Sequence, residues 1–195
     1  MRKLKKRFIV PAVVFVLGMC ALIGAIYGVG GTQEQQNRTK AKLNAMTYAE
    51  RIKGELMEGI GVTDTLKQVV ISNDGNISSF NDVAANMMDD SIQSIQIAPN
   101  GVVTEIYPEE GNESGKIDLI NDSDRGETSR YARDNDTVIM QGPFELKQGG
   151  YGIAVRNPVY LEDGNGQKSF WGFTIDILKV PEIFSESVEA LSNFG

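Results

Sequence analysis

The sequence contains no histidine and a single cysteine, Cys20. Without histidine there is no Ser-His triad, no Cys-His pair and no His-ligated metal site. A lone cysteine cannot pair within its own chain, so no disulfide framework exists. These two absences close most routes to an enzyme. Basic charge is also scarce outside the N-terminus. Of the 19 Lys and Arg residues, five (Arg2, Lys3, Lys5, Lys6, Arg7) precede every acidic residue, which leaves 14 against 26 Asp and Glu in the remainder. So acidic a body argues against nucleic-acid binding, because phosphate neutralisation supplies the non-specific part of that affinity. Its plain role is solubility. Disorder is excluded as well, since 41% hydrophobic and 23% charged residues is an ordinary globular balance.

What the chain does have is one long apolar run. Phe8–Val29 holds 22 residues without a charged side chain, and a membrane-spanning helix needs about 20. The positive charges just before it predict a cytoplasmic N-terminus. The expected plan is a cytoplasmic basic segment at 1–7, a transmembrane helix at 8–30 and an extracytoplasmic body from about Thr32. Pro11 falls in the first helical turns, where its missing N–H costs little. A cleaved signal peptide, with Gly28-Val29-Gly30 as its cleavage site, is the competing reading. Its apolar core would be only about 7–15 residues, so length favours an uncleaved anchor.

Residues 32–60 predict a long stalk helix, with Ala41, Ala45, Ala49, Ile52 and Leu56 at helical spacing and Gly59 and Gly61 as its end. Two shorter helices are expected at Thr63–Ile71 and Ser79–Met88, with Thr63 and Ser79 as N-caps. Ile92–Ala98 and Val102–Tyr107 alternate around Pro99-Asn100-Gly101, a hairpin signature. An acidic loop, a short helix at Ser123–Arg133 and a strand at Thr137–Gln141 follow. A second hairpin joins Tyr151–Leu161 to Ser169–Leu178 through Asp163-Gly164-Asn165-Gly166, and Pro181 opens a closing helix through Leu191. The fold class is α+β, one antiparallel sheet of about five strands with flanking helices. Arg156, Asn157 and Asp176 interrupt the apolar strands of the second hairpin. They mark either a half-exposed sheet or the wall of a pocket.

An ordered set of segments resembles the CHASE domain: Ile97-Ala98-Pro99-Asn100-Gly101, then Asp124-Arg125 before a short helix, Gly142-Pro143-Phe144-Glu145-Leu146, Gly152 to Tyr160, and Trp171-Gly172-Phe173. The resemblance runs from Met88 to Phe184 and includes the anchor and long helix in order. It implies an extracytoplasmic sensor with a PAS-like sheet behind the long helix, here residues 61–184. It also implies a homodimer through the stalk and an output domain of the diguanylate cyclase or histidine kinase type in a bacterial receptor. Residues 185–195 then end the closing helix of a chain that reads as truncated, and the sensor region itself is not an enzyme.

The resemblance also suggests ligand contacts. In the cytokinin-binding members an aspartate of the Asp-Arg pair falls on Asp124 and a backbone position near Lys147. A threonine of those members falls on Arg156, a departure that favours a carboxylate or other anion over cytokinin. Tyr107 and Phe144 complete the candidate set, with no cofactor. Other readings stand beside these. Arg156 is equally an exposed strand residue or a partner of Asp124 or Asp176, and Asp124 is a natural helix N-cap. Phe170, Trp171 and Phe173 read as core. The acidic stretch Asp118, Asp122, Asp124, Asp134 and Asp136 lacks the spacing of a calcium loop. The rival function is a membrane-anchored interaction domain without a small-molecule ligand.

Overall fold

The computed structural model describes residues 2–110, 117–146 and 149–184, with the side chains of 2–10, 28–30 and 32 outside that description. Lys147 and most of the expected closing helix, from 185 onward, lie outside the described residues. The chain divides into two compact units, Met1–Glu50 and Arg51–Gly195.

One helix, α1, runs from Arg2 to Ser72. In the first unit its described side chains from Pro11 to Tyr27 are all exposed, among them Val13, Phe15, Leu17, Leu22 and Ile26. Among the described residues no helix is long and apolar enough to cross a membrane. The span expected at 8–30 begins and ends in side chains outside the description, at 8–10 and 28–30.

The sequence signals for a helix break near residue 60 are overruled. Gly59 and Gly61 stand inside α1, and Thr63 is not an N-cap: its hydroxyl donates to the Ile60 carbonyl within the helix, at 2.8 Å. A glycine inside a helix costs about 1 kcal/mol relative to alanine. Tertiary burial of this turn offsets it, because Gly59, Thr63, Leu66 and Val70 form a buried stripe at helical spacing. Gly59 is there for space. A Cβ built on it would lie 2.6 Å from Leu178 Cδ1 and 3.0 Å from Cδ2. The Ala41–Leu56 stripe at helical spacing is not buried within this chain, apart from half-buried Leu56. Helix α1 ends where the Gly75 N–H reaches back to the Val70 carbonyl at 2.9 Å, with Asp74 and Gly75 at φ 49° and 82°.

The Gly59 packing gives a first prediction. Gly59→Leu gains helix propensity but drives a large side chain into Leu178. A net loss of about 1–3 kcal/mol is expected, read as a lower denaturant midpoint with unchanged slope.

The rest of the second unit is α2 (Phe80–Ala85), β1 (Ile92–Pro99), β2 (Glu105–Tyr107), α3 (Gly126–Asn135), β3 (Ile139–Glu145), β4 (Tyr151–Glu162), β5 (Lys168–Val180) and a 3-10 turn at Glu182–Phe184. The five strands form one antiparallel sheet in the order β2-β1-β5-β4-β3. Strand β2 is shorter than the alternation predicts. Val102 and Val103 turn instead to the segment after the acidic loop, where Val103 N–H donates to Ile117 O at 2.9 Å and Leu119 N–H to Gly101 O at 2.8 Å.

Cross-strand partners point to the same side of an antiparallel sheet, so the register assigns the two faces. One face carries Ile95, Ile97, Val155, Val159 and Leu178, and packs on Leu66 and Val70 of α1 with Phe80 and Ala84 of α2. The opposite face carries Ala98, Ile106, Ala154, Phe173, Ile175 and Ile177, covered by Val103, Leu119 and Ala132 of α3. Both faces are therefore buried, which is why β1, β4 and β5 lack a clean polar face. The aromatic residues around 170 are core as expected: Phe173 is fully buried and stacks edge-on with Phe170 at 5.1 Å.

Candidate functional site

On the face under α3 the apolar layer is broken by polar side chains in neighbouring positions. The row Ile106–Gln96–Ile175–Arg156–Ile139 crosses all five strands, and the next row places Ser94, Ile177, Ala154 and Gln141 side by side. Ser94, Gln96 and Arg156 are buried, with Arg156 only 3% exposed. In the sequence, Ser94 and Gln96 alternate with Ile95 and Ile97, the usual mark of a strand with one wet face. Helix α3 and the segment before it cover that face, so these residues are interior.

Strand β3 brings its residues here through an irregularity. Gln141 pairs with Ala154 and Phe144 with Gly152, so three steps on β3 oppose two on β4. The extra residue at Gly142-Pro143 turns Gln141 and Phe144 to the same side. Phe144 packs against the cluster under α3, and Gln141 meets Arg156.

Arg156 Nη1 donates to Gln141 Oε1 at 2.6 Å. Gln141 is held in turn from both ends: its Nε2 donates to the Asp124 carbonyl at 3.1 Å, and Thr128 Oγ1 donates to its Oε1 at 3.3 Å. Arg156 Nε is buried without a hydrogen-bond partner, as is the Ser129 hydroxyl on the buried side of α3. Among the described residues Arg156 makes no ion pair. Burial, and then the neighbouring Arg125 charge, push its guanidinium down to about 10, while the Asp122 charge opposes the shift. The group stays protonated at neutral pH. The site thus presents a desolvated cation with an unused N–H near a second guanidinium.

The loop before α3 is organised by Asp122. Its Oδ1 accepts the backbone N–H groups of Asp124 and Arg125, both at 2.9 Å, and its Oδ2 pairs with Arg125 Nη1 at 3.0 Å. Those hydrogen bonds hold the Asp122 carboxyl below its usual range. Asp124 is not the cap. The residue before the helix is Arg125, and the exposed Asp124 carboxylate accepts from Ser123 at 3.1 Å. At the other end of α3 the Tyr160 hydroxyl donates to the Arg133 carbonyl, joining helix to strand.

The five expected contact residues are thus divided. Arg156 and Phe144 share the face under α3, and Asp124 reaches its rim through a backbone carbonyl. Tyr107 pairs with Ile95 and packs on the α1 face, the other side of the sheet. Lys147 lies outside the described residues. The exposed-strand reading of Arg156 is overturned by its burial, and pairing with Asp176 by register, since Asp176 partners Val155 and Ile95 on the α1 face. Gln141, Ser94 and Gln96 carry no sequence signal because nothing local distinguishes a buried polar strand residue from an exposed one, and Ser129 on α3 is equally unmarked. Among the described residues no group of three His, Cys, Asp or Glu side chains is placed to hold a metal ion.

On the α1 face a second polar set fastens helix to sheet. Asn157, 1% exposed, donates from Nδ2 to Asp64 Oδ1 at 2.6 Å and accepts from Lys67 Nζ at 3.2 Å. Thr174 Oγ1 donates to the Thr63 carbonyl at 2.9 Å. Both contacts join residues on the sheet to one turn of α1.

Comparison with known proteins agrees with this architecture. None of the curated proteins matches the chain. Among solved structures the chain is similar to an extracellular ligand binding receptor from Desulfohalobium retbaense DSM5692, with a TM-score of 0.56 and 11% identity. The match covers 74% of this chain and 26% of that one, so the chain spans about a quarter of the length of that receptor and shares its fold. The family model of the CHASE domain matches residues 32–194. The chain therefore belongs to the CHASE-domain family of extracytoplasmic sensory domains.

Proposed function

We propose that this chain is the input module of a transmembrane receptor that binds a small anionic molecule between α3 and the sheet and passes the binding event to α1. The observation that carries the reading is Arg156, a buried guanidinium with an unpartnered Nε, set beside Arg125 and, among the described residues, bonded only to a neutral amide. Such a charge is costly unless something pairs with it. A carboxylate entering beside Nε would complete the guanidinium fork, and Ser129 offers a further free hydroxyl on the covering helix.

Three features support the rest of the reading. The apolar run Phe8–Val29, preceded by five positive charges, suits an anchor at 8–30 with the N-terminus in the cytoplasm. Helix α1 continues from that run to the turn gripped by Asn157 and Thr174. Leu43 and Met46 are exposed on the stalk, which suits a homodimer along it. The output would be a cytoplasmic diguanylate cyclase or histidine kinase domain. Ligand binding biases the seating of α1 only through its differential affinity for the two arrangements.

The test is thermal denaturation of the full chain in detergent micelles against a library of anionic metabolites. A true ligand at about 100 times its Kd should add about 2.7 kcal/mol of stability. No stabilisation by any anion would turn the reading toward the rival, a surface that docks a protein partner.

A further inference from the structure

Asp176 is fully buried on the α1 face of the sheet, and neither carboxyl oxygen has a hydrogen-bond partner. Its position is defined from both sides along β5. Two residues before it, Thr174 bonds the Thr63 carbonyl of α1; two residues after it, Leu178 fills the space left by Gly59 of α1. Asp176 therefore faces the single turn of α1 between Gly59 and Thr63. Its row neighbours are Ile95 and Val155, both fully buried.

We propose that the seating of α1 on the sheet is linked to a proton carried by the Asp176 carboxyl, which makes extracytoplasmic pH a second input to this module. A neutral carboxyl is tolerated beneath the helix turn, whereas a carboxylate there, with neither oxygen hydrogen-bonded, must draw in water or displace the turn. The inference does not depend on what binds near Arg156, which lies on the other face.

The surroundings favour the neutral form. Burial, and then the Asp89 charge, push the Asp176 carboxyl up to about 8. From the other elements, the titratable groups on this face are Tyr107 of β2 and Asp64 and Lys67 of α1, the last two held by Asn157. Strand β4 presents Val155 and the 3-10 turn presents Ile183. The chain has no histidine, so the usual neutral-pH sensor is missing.

The sign follows from linkage. A carboxyl whose folded value is raised binds its proton in the seated state and releases it on unseating. The seated state is then most favoured below the ordinary Asp value, near pH 4, and loses ground as pH rises toward 8.

The experiment is denaturant unfolding of the full chain in micelles across that range, followed by Trp171, the only tryptophan, which packs on the α1-face cluster. For the wild type the folding constant should fall by up to about tenfold per pH unit. The isosteric variant Asp176→Asn should lose most of that slope. Equal slopes in the two proteins would overturn the proposal. Should Asp176→Asn fail to fold, infrared spectroscopy of the wild type decides. A protonated-carboxyl band present near pH 6 and lost above about pH 8 supports it, and no such band near pH 6 overturns it.

Discussion

Arg156→Met should make the protein more stable and abolish the proposed anion binding. The guanidinium is buried, keeps an unused Nε and lacks an ion-pair partner among the described residues. Methionine of similar length removes the desolvation cost, and exchanges of this kind gain about 1–4 kcal/mol. Loss of one hydrogen bond to half-buried Gln141, which keeps the Asp124 carbonyl and Thr128, offsets part of that gain. A net gain of about 1–2 kcal/mol in the denaturant midpoint is expected. Anion binding moves the other way. Removing the cation from a buried charged contact costs about 2–5 kcal/mol, so affinity should fall by at least about 30-fold. Lysine should not restore it, because a point charge cannot replace the planar fork. A residue kept for packing alone would behave differently: the variant would lose stability and keep the ligand-induced shift.

Asn157→Asp should be the most damaging single-atom change on the helix side. The substitution puts a carboxylate oxygen where Nδ2 now donates to Asp64 Oδ1 at 2.6 Å, so a hydrogen bond becomes a contact between two anions. Lys67 lies 3.2 Å from the other oxygen and offsets only part of the repulsion. A loss of about 3 kcal/mol at neutral pH is expected from the unsatisfied buried charge. The deficit should shrink as pH falls toward about 4, the ordinary Asp value, and level off below it, where the introduced group is protonated in folded and unfolded chains alike. Chemical denaturation at neutral and acidic pH measures both parts. A deficit that does not change with pH would mean the contact is not electrostatic. Asn157→Ala, which removes the contact without adding charge, should cost about 2 kcal/mol at either pH.

Much of the fold is legible from local signals. The existence of the five strands, the turn at Asn100-Gly101 and the hairpin around Asp163 follow from short apolar or alternating runs bounded by turn residues. The end of the long helix is not legible. Glycines at 59 and 61 are intrinsic breakers, and only the presence of Leu178 and the buried stripe Gly59–Val70 explains why the helix continues through them. Of the closing helix expected from Pro181, the described residues hold one 3-10 turn at Glu182–Phe184, and the remainder lies outside them.

The site divides the same way. Arg156 stands out in the sequence because a charge inside an apolar strand is unusual wherever it points. Its face, its burial and its partner could not be read, since each depends on which residues lie across the sheet and above it. Tyr107 and Arg156 sit in strands of similar pattern, and only the register separates them onto opposite faces. The β3 irregularity at Gly142-Pro143, which sends Gln141 and Phe144 to one side, likewise has no local signature of direction.

By itself the sequence determined the class of this protein: an apolar run suited to an anchor, an acidic α+β body without histidine chemistry, and the ordered segments of a CHASE domain. These rest on composition and short-range periodicity, which are properties of neighbouring residues. Tertiary structure alone decided that Arg156 is interior, that Asp176 lies beneath the α1 turn, and that Asn157 and Thr174 tie that turn to the sheet. Those outcomes depend on contacts between residues about a hundred positions apart, 93 for Asn157–Asp64 and 111 for Thr174–Thr63, where no local preference reaches.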